Sequence, residues 1–468
     1  MKKSVLLFAA LCVWTLMPRH FSHADNYFPT GTEGLLFTVQ GSNTIGAHLA
    51  PAWAHAWLQQ KGATNVMTQP TSVQNEMFVT GNIQGKNVTI AIHAHGSSTG
   101  FIGLLNGSAD IAMASRSIKE KEVIALKDYG DMRSFSAENI VAIDGLAVIV
   151  NPTNPVDQLP VETVAQIFSG EIKNWREVGG PDRAIRLYAR DEQSGTWDTF
   201  KNLVFSKRYS LSANAKRFES NDMLSKNVAN DPSGIGFVGL ASVNTAKALA
   251  INDNNTRALK PDVIYVATED YPLSRRLYLY SPEQIKNPLV DDFIAFAHSR
   301  SGQEIVESIG FVSQNPTPLK VEKLNGPDEY RQLTQYAERL SINFRFKEND
   351  AALDNKARQD ITRITQYIKN NDPSNIKVQL VGFSDTENTN SRADILSRLR
   401  ASAVKIALFR NGIASEPVLG YGSNVLVANS RGSSRDKNDR VEVWIFDNKP
   451  TSLTPRTGQN LVVNIGNL

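Results

Sequence analysis

Three short runs of glycine, serine and threonine each follow an apolar strand and open a helical stretch. They are Gly41-Ser42-Asn43-Thr44, Gly96-Ser97-Ser98-Thr99-Gly100 and Ser194-Gly195-Thr196. Such a turn leaves main-chain N–H groups free where the helix dipole favours negative charge, and hydroxyls add donors without adding charge. Arg190 stands four residues before Ser194, and a guanidinium holds two oxygens of a tetrahedral anion in a fork. One turn alone is a capped helix; three with an arginine point to oxyanion binding. Other chemistry is also open to these residues. Positions 96–100 fit G-x-S-x-G in the strand–helix context of a nucleophile elbow, so Ser98 or Ser194 would serve a hydrolase. That reading needs a later histidine, and only His298 follows. His93 and His95 share a strand face and offer two metal ligands, but there is no clear third, so no metal is expected. Without a Walker loop or dinucleotide fingerprint, no cofactor is expected either. Asp385 ends a strand and Arg400 lies fifteen residues on, in the next helix. Together they can face a zwitterion; by spacing alone they are a surface ion pair worth little.

The elements that must carry these residues fall into two blocks. From about Gly34 to Ser313 short apolar strands (Phe37–Val39, Val88–Ile92, Leu146–Val150) alternate with helical stretches, an α/β pattern. Pro160 and Gly170 bracket a short helix. Gln314-Asn315-Pro316-Thr317-Pro318 marks a boundary, and Tyr330, Leu333, Ala337 and Leu340 predict a connecting helix. The second block opens with strand Ile342–Phe346, then a helix with Leu353, Ala357, Ile361, Ile364 and Ile368 on one face. Strand Ile376–Gly382 follows, then a helix predicted to pack through Leu396, Leu399, Ala403 and Ile406. In the last strand, Val441–Phe446, Val441, Val443 and Ile445 alternate with Glu442 and Trp444. This second block reads as a small α/β sandwich.

The 468 residues are 41% hydrophobic and 21% charged, which excludes a disordered or collagen-like chain. Lys2 and Lys3, the apolar run Val5–Met17 and Ser22-His23-Ala24 read as a secretory signal peptide too short to span a bilayer. The formal charge of +3 resides there, in Lys2, Lys3 and Arg19, as does the single cysteine, Cys12. The remaining chain is neutral, so nucleic acid is not an expected partner. It has no disulfides and no later apolar run of about 18 residues, and is expected to be soluble.

Arg190-Asp191-Glu192-Gln193-Ser194-Gly195-Thr196 resembles the phosphate-binding segment of the periplasmic phosphate-binding proteins of ABC transporters, the PstS type. Ala147–Pro152, Ile167–Trp175, Gly234–Val238 and Tyr271–Arg275 match as well. The resemblance covers about residues 35–313 and implies a hinged, two-lobed, type II periplasmic binding protein with the anion between its lobes. It places Asn43 and Thr44 in the first turn, Ser97 and Ser98 in the second, and Arg190, Ser194, Gly195 and Thr196 in the third, with Glu192 buttressing Arg190. The well-known enteric members carry an aspartate after the second turn that accepts the proton of hydrogen phosphate. Arg116 falls there instead, adding anion attraction while removing the acceptor. Phosphate is therefore the expected ligand, with discrimination against sulfate left open.

The second block is similar to the OmpA C-terminal domain, a peptidoglycan-binding module. Phe344 and Phe346, Gly382–Asp385, the Leu396-Ser397 to Arg400-Ala401 run and Asn438-Asp439-Arg440-Val441-Glu442 carry the likeness. In that family an Asp and an Arg, here Asp385 and Arg400, hold the diaminopimelate side chain of the stem peptide. Ala393 stands in place of a common Asn, and Asp439 in place of the first Arg of an Arg-Arg-Val-Glu ending. Neither departure is expected to touch the central pair. The chain is thus read as a signal segment at 1–24, an oxyanion-binding domain at 25–318, a connecting helix at 319–340, a peptidoglycan-binding domain at 341–448 and a loose tail at 449–468. The expected protein is not an enzyme. It sits in the periplasm on peptidoglycan or the outer membrane, captures phosphate or a related oxyanion, and serves a membrane permease or sensor. The alternative is a tethered structural or adhesive envelope protein whose fold has lost its ligand.

Overall fold

The computed structural model describes residues 32–205, 208–253, 256–283, 287–321, 326–371, 373–385, 390–428 and 435–447. The signal-segment and tail readings lie outside them. In the first block, β-branched and aliphatic runs pair into one path of strands. Its order is Thr64–Pro70, Glu76–Ile83, Lys86–His93, Gly34–Gly41, Ile111–Ala114, Ser274–Tyr280, Glu138–Val150, Gly234–Gly239, Arg186–Arg190 and Lys216–Phe218. The strand Glu138–Val150 serves both lobes. Its first half pairs antiparallel with Ser274–Tyr280, as far as Ser274 opposite Gly145. Its second half pairs antiparallel with Gly234–Gly239, beginning with Gly239 opposite Leu146. The changeover between Gly145 and Leu146 is where one lobe hands over to the other.

Each lobe has its own aromatic centre. In the first, Phe37, Trp57 and Phe293 pack edge to face beside Trp53. In the second, Phe200 and Trp197 stack on Phe237 while Phe168 meets Phe200 edge to face. Burying each such ring is worth roughly 1.5–3 kcal/mol, so the lobes keep their shape while the strand between them can bend. The helix bracketed by Pro160 and Gly170 forms as Val161–Ser169, with Gly170 in the left-handed conformation at its end.

The second block is a five-stranded sheet ordered Pro318–Leu319, Glu338–Arg345, Arg440–Asp447, Ile376–Phe383 and Leu419–Gly420. Helices Asn355–Asn370 and Asn390–Arg410 cover one face through Ile361, Ile364, Ala401, Val404 and Leu408. Three expectations need correction. The stretch read as a connecting helix ends at Tyr336 and belongs to this body: in Asp328–Tyr336, Tyr330 and Leu333 cover the opposite sheet face at Phe383 and Trp444. The opening strand therefore starts at Glu338, and Ala337 and Leu340 are not helical. Glu442 and Trp444, which alternate with Val441, Val443 and Ile445 in the last strand, are buried under that helix. In Asn390–Arg410, Leu399 and Ile406 are about half exposed, at 53% and 51%, and Ala393, Ser397, Arg400, Ala401, Val404 and Leu408 face inward instead.

The two blocks share a buried ionic seam. Asp270 binds Arg339 (3.0 Å) and Arg345 (2.7 Å), and Asn343 Nδ2 donates to Thr268 O (2.9 Å). Lys437 Nζ donates to Ser274 Oγ (2.8 Å) and to Tyr271 O. Glu269 pairs with Arg276; burial alone would raise its pKa, but Arg276, Lys356 and Arg345 bring it down to about 2. Among the described residues no helix is long and apolar enough to cross a membrane.

Candidate functional site between the lobes

The strand Gly34–Gly41 delivers the first turn. Gly41 has φ +137°, and a Cβ there would lie 2.2 Å from Met113 O, so only glycine lets Ser42 N reach that carbonyl (2.9 Å). Asn43 and Thr44 are buried behind it. The second turn ends the strand Lys86–His93 and starts helix Ser97–Asn106, whose buried Ser97 Oγ accepts from Ser115 N (3.1 Å). The third follows Arg186–Arg190. Ser194 caps the next helix, its Oγ accepting from Thr196 N (3.1 Å) and Trp197 N (3.4 Å).

All three turns meet. Thr44 Oγ1 and Thr196 Oγ1 are 3.0 Å apart across the lobes. A Cβ on Gly195 would lie 2.1 Å from Ser97 Oγ and 2.4 Å from Ser115 Oγ, so this glycine lets the lobes close to contact. Arg190 is buried, reaching Thr196 Oγ1 (3.5 Å), Phe218 O (3.0 Å), Asn221 Oδ1 and Glu219 O. Burial, together with the neighbouring positive Arg275, pulls its pKa down to about 10 against the pull of Asp191.

Two side chains that sequence reasoning did not single out complete the cluster. Arg275 Nη2 donates to Thr44 Oγ1 (3.3 Å) and to Asp144 (2.6 Å), while its buried Nη1 has no hydrogen-bond partner. Burial pushes the Asp144 carboxyl up, against Arg275. Asn221 donates from Nδ2 to Thr44 Oγ1 (3.4 Å) and from its main chain to Asn43 Oδ1 (3.4 Å). Arg275 closes the Tyr271–Arg275 stretch, so its type and place were visible; its direction was not.

Other expected partners lie elsewhere. Arg116 adds no spare charge: all five donors are taken, by Glu122 (2.7 and 2.8 Å), Asp198 (2.9 Å), Ser117 O (3.0 Å) and Ser98 Oγ (3.1 Å). Ser98 is thus tied to Arg116. Glu192 does not buttress Arg190 but pairs with Arg217 (3.4 Å). His95 joins Glu76 and Glu219 (3.0 Å each). Among the described residues no group of three His, Cys, Asp or Glu side chains is placed to hold a metal ion. His298, the one late histidine, lies against Asn139, Gln359 and Arg363 at the seam; burial, then Arg363, lower its pKa to about 3.

In the second body, Asp385 and Arg400 are both buried but not paired with each other. Asp385 Oδ2 accepts from Asn438 Nδ2 (2.9 Å), and Arg400 binds Asp439 (2.7 Å). Asp439, expected to leave the pair alone, therefore sits on its guanidinium.

A family model described as a PBP superfamily domain matches residues 61–301, more than half of the chain. The chain belongs to the PBP superfamily. Its two-lobed first block is the type II binding-protein architecture of that superfamily, and an OmpA family model matches residues 345–440 behind it. The chain is 34% identical over 249 residues to Protein SphX of Synechococcus elongatus, covering 51% of this chain and 72% of that protein. It is 28% identical over 251 residues to the phosphate-binding protein PstS of Borreliella burgdorferi, covering 52% and 87%. A solved phosphate ABC transporter substrate-binding protein from Clostridium perfringens, with bound phosphate, aligns at 25% identity and TM-score 0.48, over 60% of this chain and 99% of that one. This is a superfamily of binding proteins rather than enzymes, and the hydrolase alternative falls with that membership.

Proposed function

We propose that the first block captures a tetrahedral oxyanion, inorganic phosphate above all, by closure of its lobes, and that the second block holds the protein to peptidoglycan. The observation that carries the first half is the convergence of two buried guanidiniums, Arg190 from one lobe and Arg275 from the other, on the Thr44–Thr196 contact. Buried like charges repel, and each has one acid beside it, Asp144 on Arg275 (2.6 Å) and the more distant Asp191 on Arg190 (3.5 Å). A bound anion relieves that repulsion, and Thr44, Ser97, Thr196 and the Ser194–Gly195 main chain supply donors around it. The phosphate-binding relatives support phosphate as the ligand. Asp385 and Arg400 are the proposed peptidoglycan contacts. Export behind a signal segment at 1–24, the division at 25–318, 319–340, 341–448 and 449–468, the periplasmic address and delivery to a membrane permease or sensor belong to the same reading. Tethering suits local capture or presentation better than free diffusion.

Calorimetric titration of the full chain, stripped of anion by partial unfolding, tests it with phosphate and then sulfate. Saturable phosphate binding is expected, weakened at least about thirtyfold in Arg190→Ala, since truncating a buried charge partner costs about 2–5 kcal/mol. Binding of neither anion overturns the reading.

A further inference from the structure

Arg400 has five N–H donors, and the chain engages four of them in hydrogen bonds. Nη1 donates to Ser384 Oγ (2.8 Å) and lies 2.7 Å from Asp439 Oδ1 as an ion pair. Nη2 donates to Asp439 Oδ2 (3.0 Å) and Lys347 O (2.9 Å), and Nε to Asp350 O (2.9 Å). The Asp439 carboxylate therefore lies on the guanidinium in the two-pronged geometry by which arginine recognises a free carboxylate. It is itself pinned: Oδ1 accepts from Asp385 N (2.9 Å) and Ser384 Oγ (3.1 Å), and Phe346 N donates to its main-chain carbonyl (3.0 Å). Both side chains are buried.

Charge then decides what the site accepts. Asp439 lies on Arg400, and Asp385 beside it is reached by Arg435, whose Nη2 donates to the Asp385 main-chain carbonyl (3.1 Å). A ligand carboxylate would find the Nη1–Nη2 edge of Arg400 already covered by the Asp439 carboxylate, whereas an ammonium can pair with the Asp385 carboxylate beside it. Resting on the wall-binding reading above, we propose that Asp439 is a built-in stand-in for the ligand's carboxylate. The module consequently takes a stem-peptide side chain bearing an amine without a free carboxylate beside it, such as diaminopimelate amidated at that carboxyl.

The full chain is titrated calorimetrically with meso-diaminopimelate and with its amide. The amide is expected to bind at least tenfold more tightly. In Asp439→Asn, which keeps the fork's shape but drops its charge, the preference reverses toward the free acid. In Asp439→Ala the thermal midpoint falls and is partly restored by free diaminopimelate, which supplies the missing carboxylate in trans. Tighter binding of the free acid by the unaltered chain, unchanged in Asp439→Asn, overturns the inference and leaves wall binding standing. Failure of both ligands with both proteins overturns the wall-binding reading and this inference with it.

Discussion

Two histidines reach across the lobes at the scale of single residues. His48 Nε2 contacts Asp222 Oδ2 (2.8 Å), and His95 bridges Glu76 on its own lobe to Glu219 on the other. The hydrogen bond to Asp222 raises the His48 pKa against burial, and burial of His95 is outweighed by the hydrogen bonds it donates to Glu76 and Glu219. A raised histidine stabilises the closed form fully below its open-form value near 6.5, and that contribution is lost as pH rises through the raised value. Closure of the ligand-free protein, followed by a distance label on each lobe, is therefore expected to decrease from pH 6 to pH 8.5. The dependence should flatten in the His48→Gln, His95→Gln double variant; a flat profile in the unaltered protein would refute this. The two contacts that cross the lobes are invisible in a sequence, because each joins residues more than a hundred positions apart. The three turns were legible because local chemistry marks them. Arg116 misled because its neutralising acids, Glu122 and Asp198, come from two different segments.

At the scale of elements, strands and helices followed their periodicities, and the misjudged face of Asn390–Arg410 has a specific cause. Backbone comes very close there: a Cβ on Gly382 would sit 2.0 Å from Ser397 O, and one on Gly420 2.6 Å from Ser397 Oγ. Only small side chains fit that contact, so Ala393, Ser397 and Ala401 took the inner face along with Arg400 on its Asp439 partner, while Ile395, Leu399, Ile406 and Phe409 were left outside. An apolar-face argument fails where close packing selects for size instead of hydrophobicity. Leu408→Ala should cost about 2–5 kcal/mol in denaturant unfolding, and Leu399→Ala should stay within about 0.5 kcal/mol. Equal effects would show that the faces are wrongly assigned. The helix Asp328–Tyr336 looked like a linker for a related reason: its partner, the Phe383–Trp444 face, comes from strands later in the chain.

At the scale of the whole molecule, the seam makes the two blocks one unfolding unit. Asp270→Ala leaves Arg339 and Arg345 buried without that partner, a loss of about 3–5 kcal/mol for a broken buried pair. Scanning calorimetry should then resolve two transitions where the unaltered chain has one; a single unshifted transition would contradict it. The place of the seam matters as much as its strength. Asn355 binds Arg133 O (3.0 Å) and Ser134 O (3.3 Å), Arg363 binds Gln314 (3.0 Å), and Lys437 binds Ser274 and Tyr271, all on the first lobe or at the crossover. The second body is thus bolted to one jaw of the clamp, which would become a stator if that body holds the wall as proposed. Under the proposed capture and wall binding, the lobe carrying Arg190 and Thr196 is the jaw left to swing, so capture would move that lobe relative to a stationary wall and leave the anchored half still.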